Sequence, residues 1–307
     1  VILVLRALGV GDLATGVPAL RALRAAFPAE ELVLAAPAWL TPLIELIGGV
    51  DRVAPTDGLA PRAWSDATAP RLAVNLHGSG PQSHRLLQRA RPGRLWAFRS
   101  AAAWHPDGPA WSDDEHEVHR WCRLLRHYGV PADESDLGLA VPDVPVPRGV
   151  TILHPGAKSP SRRWPPHRYA EVAHRLHVAG HHVVITGSPA ERDLTAKVAA
   201  DAGLGPDALP GTDLASLAAL IAHARLLISG DTGVSHLATA YGTPSVTLFG
   251  PMSPARWGPP QRPWHRVIWH GTRSERGDAP GPEVHPALLA VTTEEVLEAA
   301  GRALAER

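Results

Sequence analysis

Short apolar runs recur along the chain, each followed by a turn and then by a stretch whose apolar residues return every three or four positions. Val1–Leu5, Leu32–Ala35, Leu72–Leu76, Val150–Leu153, His182–Thr186, Leu226–Ser229 and Ser245–Phe249 are such runs. They are short and rich in branched aliphatic residues, as strands buried on both faces of a parallel sheet are; a further strand is predicted near Val53. Between them the periodicity predicts helices from the Gly9–Asp12 turn to about Ala26, with Leu20, Leu23 and Phe27 on one face, and over Trp39–Ile47. Asp113–Tyr128 reads as a helix with Val118, Cys122 and Leu125 on one stripe. Pro166–Ala179, Pro189–Ala202, Ala215–Ala224, Val234–Tyr241 and Thr293–Ala305 complete the set, the last capped by Thr292 or Thr293. Strand and helix alternate throughout, which predicts an α/β chain of doubly wound domains. Val130–Gly149 carries Pro131, Pro142, Pro145 and Pro147 without periodicity, and its second half reads as a linker. The expected division is therefore an N-terminal domain over 1–145, a C-terminal domain over 146–290, and a helix over 291–307 packing near their junction. Gln261–Pro286 is rich in Pro, Gly and Trp and is expected to be irregular. No repeat of fixed period is visible.

The stretch Leu226–Pro254, LLISGDTGVSHLATAYGTPSVTLFGPMSP, concentrates the candidate chemistry. Strand, glycine turn, helix, helix-ending Gly242 and strand form a βαβ unit, with the turn at the carboxyl end of its first strand. Amides at a helix start favour an anion there by up to about 2 kcal/mol. Asp231 lies in the same turn, so the expected ligand combines a phosphate with hydroxyls. Near the N-terminus, Gly9, Gly11 and Ala14 match a dinucleotide-binding spacing, which is weak alone. The following strand ends in Ala36-Pro37, without the acid that would hold a ribose, and Asp12 would repel a phosphate in the cradle. The glycines then serve a sharp turn that presents Asp12; a helix cap is the alternative.

Composition narrows the class. At 307 residues the chain accommodates two domains of about 150 residues. A hydrophobic content of 45% and a charged content of 20% are those of a globular protein. The formal net charge is zero, so nothing draws the whole chain to nucleic acid. Cys122 is the only cysteine, which excludes an internal disulfide and a cysteine-based zinc site. His116 and His119 do not have the spacing of a helical zinc pair and read as surface residues. No apolar run approaches the ~20 residues of a membrane span, and the N-terminal run leads straight into a turn, so the cytoplasm is the expected compartment. Gln82–Arg99 carries Arg85, Arg89, Arg91, Arg94 and Arg99, read as a solvated face or, as the minor reading, a basic lip for an anionic acceptor or membrane surface.

Three stretches together resemble glycosyltransferase family 9, the heptosyltransferases: LRALGVGDLATGVPALRALRAAFP at Leu5–Pro28, LHPGAKSPSRRWPPHRYAEVAHRL at Leu153–Leu176, and the Leu226–Pro254 stretch continued to Gly258. The resemblance implies a GT-B fold of two Rossmann-like domains facing a central cleft, with the acceptor mainly on the first and the nucleotide sugar mainly on the second. It implies inverting, metal-independent transfer, so no cofactor and no metal site are expected. Asp12 matches the family's catalytic base. Arg162 stands where a phosphate-binding lysine is expected, with Lys158 nearby; Thr232, Gly233 and His236 match the diphosphate site. Asp231 matches the aspartate on the donor sugar, and Glu191 the acid on the donor ribose. Gly11, His77, Gly78 and Arg85 are the acceptor-side candidates.

The implied donor is a nucleotide-diphospho-sugar, ADP-heptose by resemblance. The acceptor is a glycan, lipid-linked or small-molecule hydroxyl, lipopolysaccharide core being the family's usual one. A monomer with at most peripheral membrane contact is expected. Bland roles stand beside these: Glu191 as a first-turn acid, Asp231 as an N-cap, His236 as a packed core residue, and Trp164, Trp257 and Trp264 as packing. No Asp-x-Asp motif is present, consistent with a metal-free diphosphate. An epimerase or hydrolase on the same fold, or a non-catalytic nucleotide-sugar-binding protein, are the alternative functions.

Overall fold

The computed structural model describes residues 1–60, 64, 69–272, 277 and 281–306. The chain divides into Val1–Ala140 and Val141–Arg307, each built on its own five-stranded sheet.

In the first unit the order is β1 (Ile2–Leu5), α1 (Val10–Thr15), α2 (Val17–Ala26), β2 (Leu32–Ala36), α3 (Thr41–Ile47), β3 (Arg52–Pro55), β4 (Leu72–Asn75), α4 (Gln82–Gln88), β5 (Arg94–Trp96) and α5 (Glu117–His127). The strands lie in the order β3-β2-β1-β4-β5, all parallel, with Leu5 registered against Ala35 on one side and Asn75 on the other. The single helix expected up to Ala26 is two, broken at Gly16, where Pro18 opens the first turn of α2. A Cβ at Gly16 would sit 2.7 Å from the Arg6 guanidinium Nε, so glycine is what lets the two helices fold over that side chain. The helix expected from Asp113 starts later, at Glu117, because the His116 ring caps it by accepting from the Val118 amide.

In the second unit the order is β6 (Thr151–His154), α6 (Pro166–Val178), β7 (Val183–Ile185), α7 (Arg192–Asp201), α8 (Leu214–Ala222), β8 (Leu226–Gly230), α9 (Gly233–Tyr241), β9 (Ser245–Phe249), α10 (Pro254–Trp257), β10 (His265–Trp269), α11 (Pro286–Leu289) and α12 (Thr293–Ala305). Its sheet runs β10-β9-β8-β6-β7, again parallel. The strand β10 corrects the expectation that Gln261–Pro286 is irregular. The Pro residues lie outside it, and it pairs residue for residue with β9 from His265↔Ser245 to Trp269↔Phe249. The core of this unit gathers Leu153, Tyr169, Val172, Ile228, Val246 and Leu248, and α12 closes it with Val296, Ala300 and Ala303.

Each sheet reverses its winding direction at one place, between β1 and β4 in the first unit and between β6 and β8 in the second. Connections leave such a point in opposite directions, which opens a crevice beyond the carboxyl ends of the two strands. The turns that follow these four strands contain most of the candidate residues.

Candidate functional site

In the first unit the crevice is lined by the turns after β1 and β4. Asp12 sits in the first turn of α1, half-buried, and its carboxylate accepts from the Gly9 amide at 3.2 Å. It thus does the capping work that the alternative reading proposed, through one oxygen, Oδ2. The turn is fixed from below by Arg6, a fully buried cation at the end of an otherwise apolar strand. Arg6 donates to the main-chain oxygens of Asp12 and Leu76 and, at 2.9 Å, to the Thr15 hydroxyl. Its charge is met by Glu117 at 3.6 Å and its plane lies 4.9 Å from the Trp121 ring. Burial holds the Arg6 pKa below its ordinary value, with Glu117 and Asp12 opposing the shift. Arg6 therefore ties together the two turns that border the crevice.

His77, on the turn after β4, comes to the same place: its Nδ1 accepts from the Ala7 amide at 3.2 Å. Burial, and then the Arg6 charge, push its pKa down to about 4 against the pull of Asp12. The imidazole is therefore neutral near pH 7, an apolar-edged neighbour for Asp12 and no competing cation. Asn75 organises this turn, accepting from the His77 amide at 3.0 Å and donating to the Gly78 oxygen at 3.2 Å and to Ser83 Oγ at 2.9 Å. Gly11, within α1, and Gly78 belong to this group. Arg85 is turned elsewhere: on α4, exposed, it donates to the Ala102 oxygen at 2.7 Å.

In the second unit the turns after β6 and β8 meet. Asp231 follows β8, its amide bonded to the Leu248 oxygen at 3.1 Å and its side chain buried. Arg162 ends a 3-10 turn, Pro160–Arg162, in the connection from β6, and its Nη2 lies 3.6 Å from Asp231 Oδ2. Gly230 permits this: a Cβ there would stand 3.3 Å from the Arg162 main-chain oxygen. The residue at the cap position of α9 is Thr232, not Asp231, which corrects the reading of Asp231 as an N-cap. Thr232 is extended and its hydroxyl makes no cap bond; that buried oxygen has no partner among the described residues. Its main-chain oxygen instead accepts from Ser235 Oγ at 2.7 Å. The α9 start at Gly233 thus lies beside the Arg162 guanidinium, amides and cation being the donors a phosphate uses at a helix start, with Asp231 next to them as an acceptor for hydroxyls. His236, one turn along, is half-buried with its ring edge-on to Trp257 at 5.9 Å. Lys158 is exposed on the same connection as Arg162.

Glu191 approaches that connection from the turn after β7. Its Oε2 accepts from the Ser188 amide at 2.9 Å and hydroxyl at 2.8 Å, so it does serve as a local cap. A Cβ on Gly156 would lie 2.2 Å from Glu191 Oε1, so the carboxylate rests directly on the backbone after β6. Beneath it, His154 bonds Thr186 Oγ1 at 2.9 Å, and burial drives its pKa down to about 4 despite Glu191. Trp164 is a core residue, donating to the Val291 oxygen at 3.1 Å and packed edge-on to Tyr169 at 5.0 Å.

The residues that sequence reasoning did not single out are Arg6, Asn75 and Glu117. Arg6 carried one signal, a charge ending a wholly apolar strand. Asn75 and Glu117 carried none, since each looks like an ordinary polar residue until the fold buries it.

Residues 88–278 fit the family model described as glycosyltransferase family 9 (heptosyltransferase). The chain is 27% identical to lipopolysaccharide heptosyltransferase 2 of Salmonella typhimurium, over 97% of this chain and 96% of that protein. Among solved structures it resembles the ADP-heptose LPS heptosyltransferase II of E. coli, with a TM-score of 0.77 and 24% identity over 99% of this chain and 98% of that one. A glycosyltransferase family 9 protein of Veillonella parvula superposes with a TM-score of 0.80 at 22% identity, covering 100% of this chain and 97% of its own.

Proposed function

Because this chain belongs to glycosyltransferase family 9 and is a glycosyltransferase with the two parallel α/β units of the GT-B fold, we propose that it transfers a heptose or closely related sugar from an ADP-linked donor to a hydroxyl of a glycan, lipid-linked or small-molecule acceptor. The named relative acts as a lipopolysaccharide heptosyltransferase, which supports the sugar and makes a lipopolysaccharide core the first acceptor to try.

The observation that carries the reading is the placement of Arg162 and Asp231, 3.6 Å apart, beside the first turn of α9. In the proposed reaction the acceptor oxygen attacks the anomeric carbon and gives its proton to Asp12. The bond from that carbon to the diphosphate oxygen breaks with inversion, and the electron pair leaves with the nucleoside diphosphate. Arg162, the α9 amides from Gly233, and Thr232 meet the developing negative charge, with Lys158 and His236 at the margin. Asp231 accepts from sugar hydroxyls and Glu191, through Oε1, from the ribose. Gly11, His77 and Gly78 border the acceptor. No metal is required in this scheme, and the protein acts as a monomer at the cytoplasmic face of a membrane with peripheral contact; no helix among the described residues is long and apolar enough to cross one.

The test is incubation with ADP-heptose and a panel of acceptors, with products read by mass spectrometry. One sugar added to an acceptor for each ADP released supports the reading. ADP release at the same rate without acceptor would replace it with a hydrolase, and binding without turnover over the panel with a non-catalytic binder.

A further inference from the structure

The first unit manages its arginines unevenly. Eight of them, Arg6, Arg21, Arg24, Arg52, Arg71, Arg120, Arg123 and Arg126, each lie within ion-pair distance of a carboxylate. The five between Gln82 and Pro106 do not: Arg85, Arg89, Arg91, Arg94 and Arg99 form no ion pair among the described residues, and all are exposed. The sequence explains why, since residues 82–106 contain no Asp or Glu at all. A merely solvated face would ordinarily intersperse both signs. Here one sign accumulates over a continuous stretch.

At the tip of this stretch stands Trp104, 90% exposed, the most exposed large hydrophobic side chain among the described residues. It follows the short turn Ala101–Ala103 and its backbone is left-handed, with φ 53° and ψ 36°. A bulky residue is rarely tolerated in that region, and such outliers tend to mark sites of function. The loop is nevertheless well anchored. The Ser100 amide and His105 oxygen bond at 2.8 Å at its base. Arg85 donates to the Ala102 oxygen at 2.7 Å and Gln88 to the Ala103 oxygen at 2.8 Å. Arg85 on α4 and Arg89, the residue that ends it, are four positions apart in helical backbone, so they lie on the same side. Arg99 is next to the loop's base. An exposed indole thus projects from an anchored loop whose neighbours in sequence and on α4 include cations that form no ion pair among the described residues.

We infer that the Trp104 loop, with Arg85, Arg89 and Arg99, is the surface by which this protein sits on an anionic lipid bilayer. The guanidinium groups meet headgroup phosphates, and the indole enters the interfacial region, where aromatic rings with one polar edge are favoured. A soluble acidic protein or glycan would be met by the arginines alone and gives no use to an indole left 90% exposed. The assignment deepens the peripheral contact proposed above, but its readout is binding, which is separable from sugar transfer.

Co-sedimentation of the full chain with vesicles tests it. Vesicles containing phosphatidylglycerol should bind the protein and phosphatidylcholine vesicles should not, and binding should weaken as salt is raised. Trp104→Ser and the double variant Arg89→Gln/Arg99→Gln should each reduce the partition to the anionic vesicles by about tenfold, with thermal unfolding unchanged because these side chains are exposed. Equal binding to both vesicle types, no binding to either, or full binding by Trp104→Ser would overturn the inference. So would retention on a soluble polyanion together with failure on vesicles. If the variants lose vesicle binding yet transfer sugar to a water-soluble acceptor at the normal rate, the surface is confirmed as distinct from the transfer chemistry. If no donor and acceptor pair is turned over but vesicle binding behaves as stated, the surface stands while the enzymatic reading falls.

Discussion

Arg6 donates through Nε to the main-chain oxygen of Asp12, so the half-buried carboxylate at the first switch point is held in place by a fully buried cation. The same guanidinium reaches Leu76 and Thr15, and Glu117 balances its charge. Removing it would leave the Asp12, Leu76 and Thr15 oxygens without their donor and take one of two cations from Glu117, which is buried and also bonds Arg120 and the Trp121 indole N–H, the latter at 2.8 Å. Arg6→Met should therefore cost about 3–5 kcal/mol in urea unfolding, the usual penalty for breaking a buried ion pair. Arg6→Lys, which keeps the charge but not the planar fork, should cost less. A loss below about 1 kcal/mol in Arg6→Met would show that the network does not carry the turn.

Asp12→Asn keeps an oxygen for the Gly9 amide and so should leave the turn intact. It removes the only role a neutral amide cannot take, acceptance of a proton. Turnover should fall by about 10²–10⁴, with donor affinity in calorimetry within about twofold. Near-normal turnover would move the base elsewhere.

The sequence carried most of the architecture because burial on both faces makes parallel strands wholly apolar, and such runs stand out. Ser245–Phe249 and Thr293–Ala305 have in the structure the limits the pattern predicts. The strand His265–Trp269 escaped because it lies at a sheet edge, where only His265 is buried and the polar His265 and Arg266 shorten the apolar run. The break at Gly16 escaped because it answers to the Arg6 side chain beneath it, which no local periodicity reports. Of the candidate site, the turns after four strands were legible as glycine-rich segments. The pairing of Arg162 with Asp231 was not, since it depends on a strand order that sequence distance does not encode.

Acid should destabilise the fold through its buried histidines. Burial lowers the pKa of His77, His154 and His265 to about 4 from 6.5. Each is neutral in the folded chain and protonated in the unfolded one between those values, so the unfolded state binds more protons there. Stability is then fully present above pH 6.5 and falls as pH drops towards 4. The slope has an upper limit of about 1.4 kcal/mol per pH unit for each histidine. Thermal midpoints measured from pH 7.5 to about 4.5 should fall steadily, and His265→Asn, which can keep a bond to Ser245, should flatten the fall. A flat profile in the wild-type chain would contradict the buried neutral state.

Chelation should leave turnover unchanged. In the proposed scheme the leaving diphosphate is met by Arg162 and helix-start amides, and the chain has no Asp-x-Asp motif to bridge a metal to it. Activity lost to EDTA and restored by Mg²⁺ would reassign that charge to an ion.

The Arg162–Asp231 pair separates two explanations of the second switch point. If the pair is only structural, its members should matter to stability and not to the donor. If it is the donor site, each has a distinct ligand: Arg162 the diphosphate, Asp231 the sugar hydroxyls. Arg162→Ala should then weaken binding of ADP itself by about tenfold or more, since a hydrogen bond to a charged group is worth about 1.5–3 kcal/mol. Arg162→Lys should recover part of it, because a lysine keeps the charge without the fork. Asp231→Asn should leave ADP affinity nearly unchanged or raise it, by removing a negative charge 3.6 Å from the cation that holds the phosphate. The same substitution should weaken the complete ADP-sugar. Opposite effects on ADP and on ADP-sugar are the signature a structural pair cannot produce, and parallel losses in both ligands, matched by a lower unfolding midpoint, would assign the pair to the fold alone.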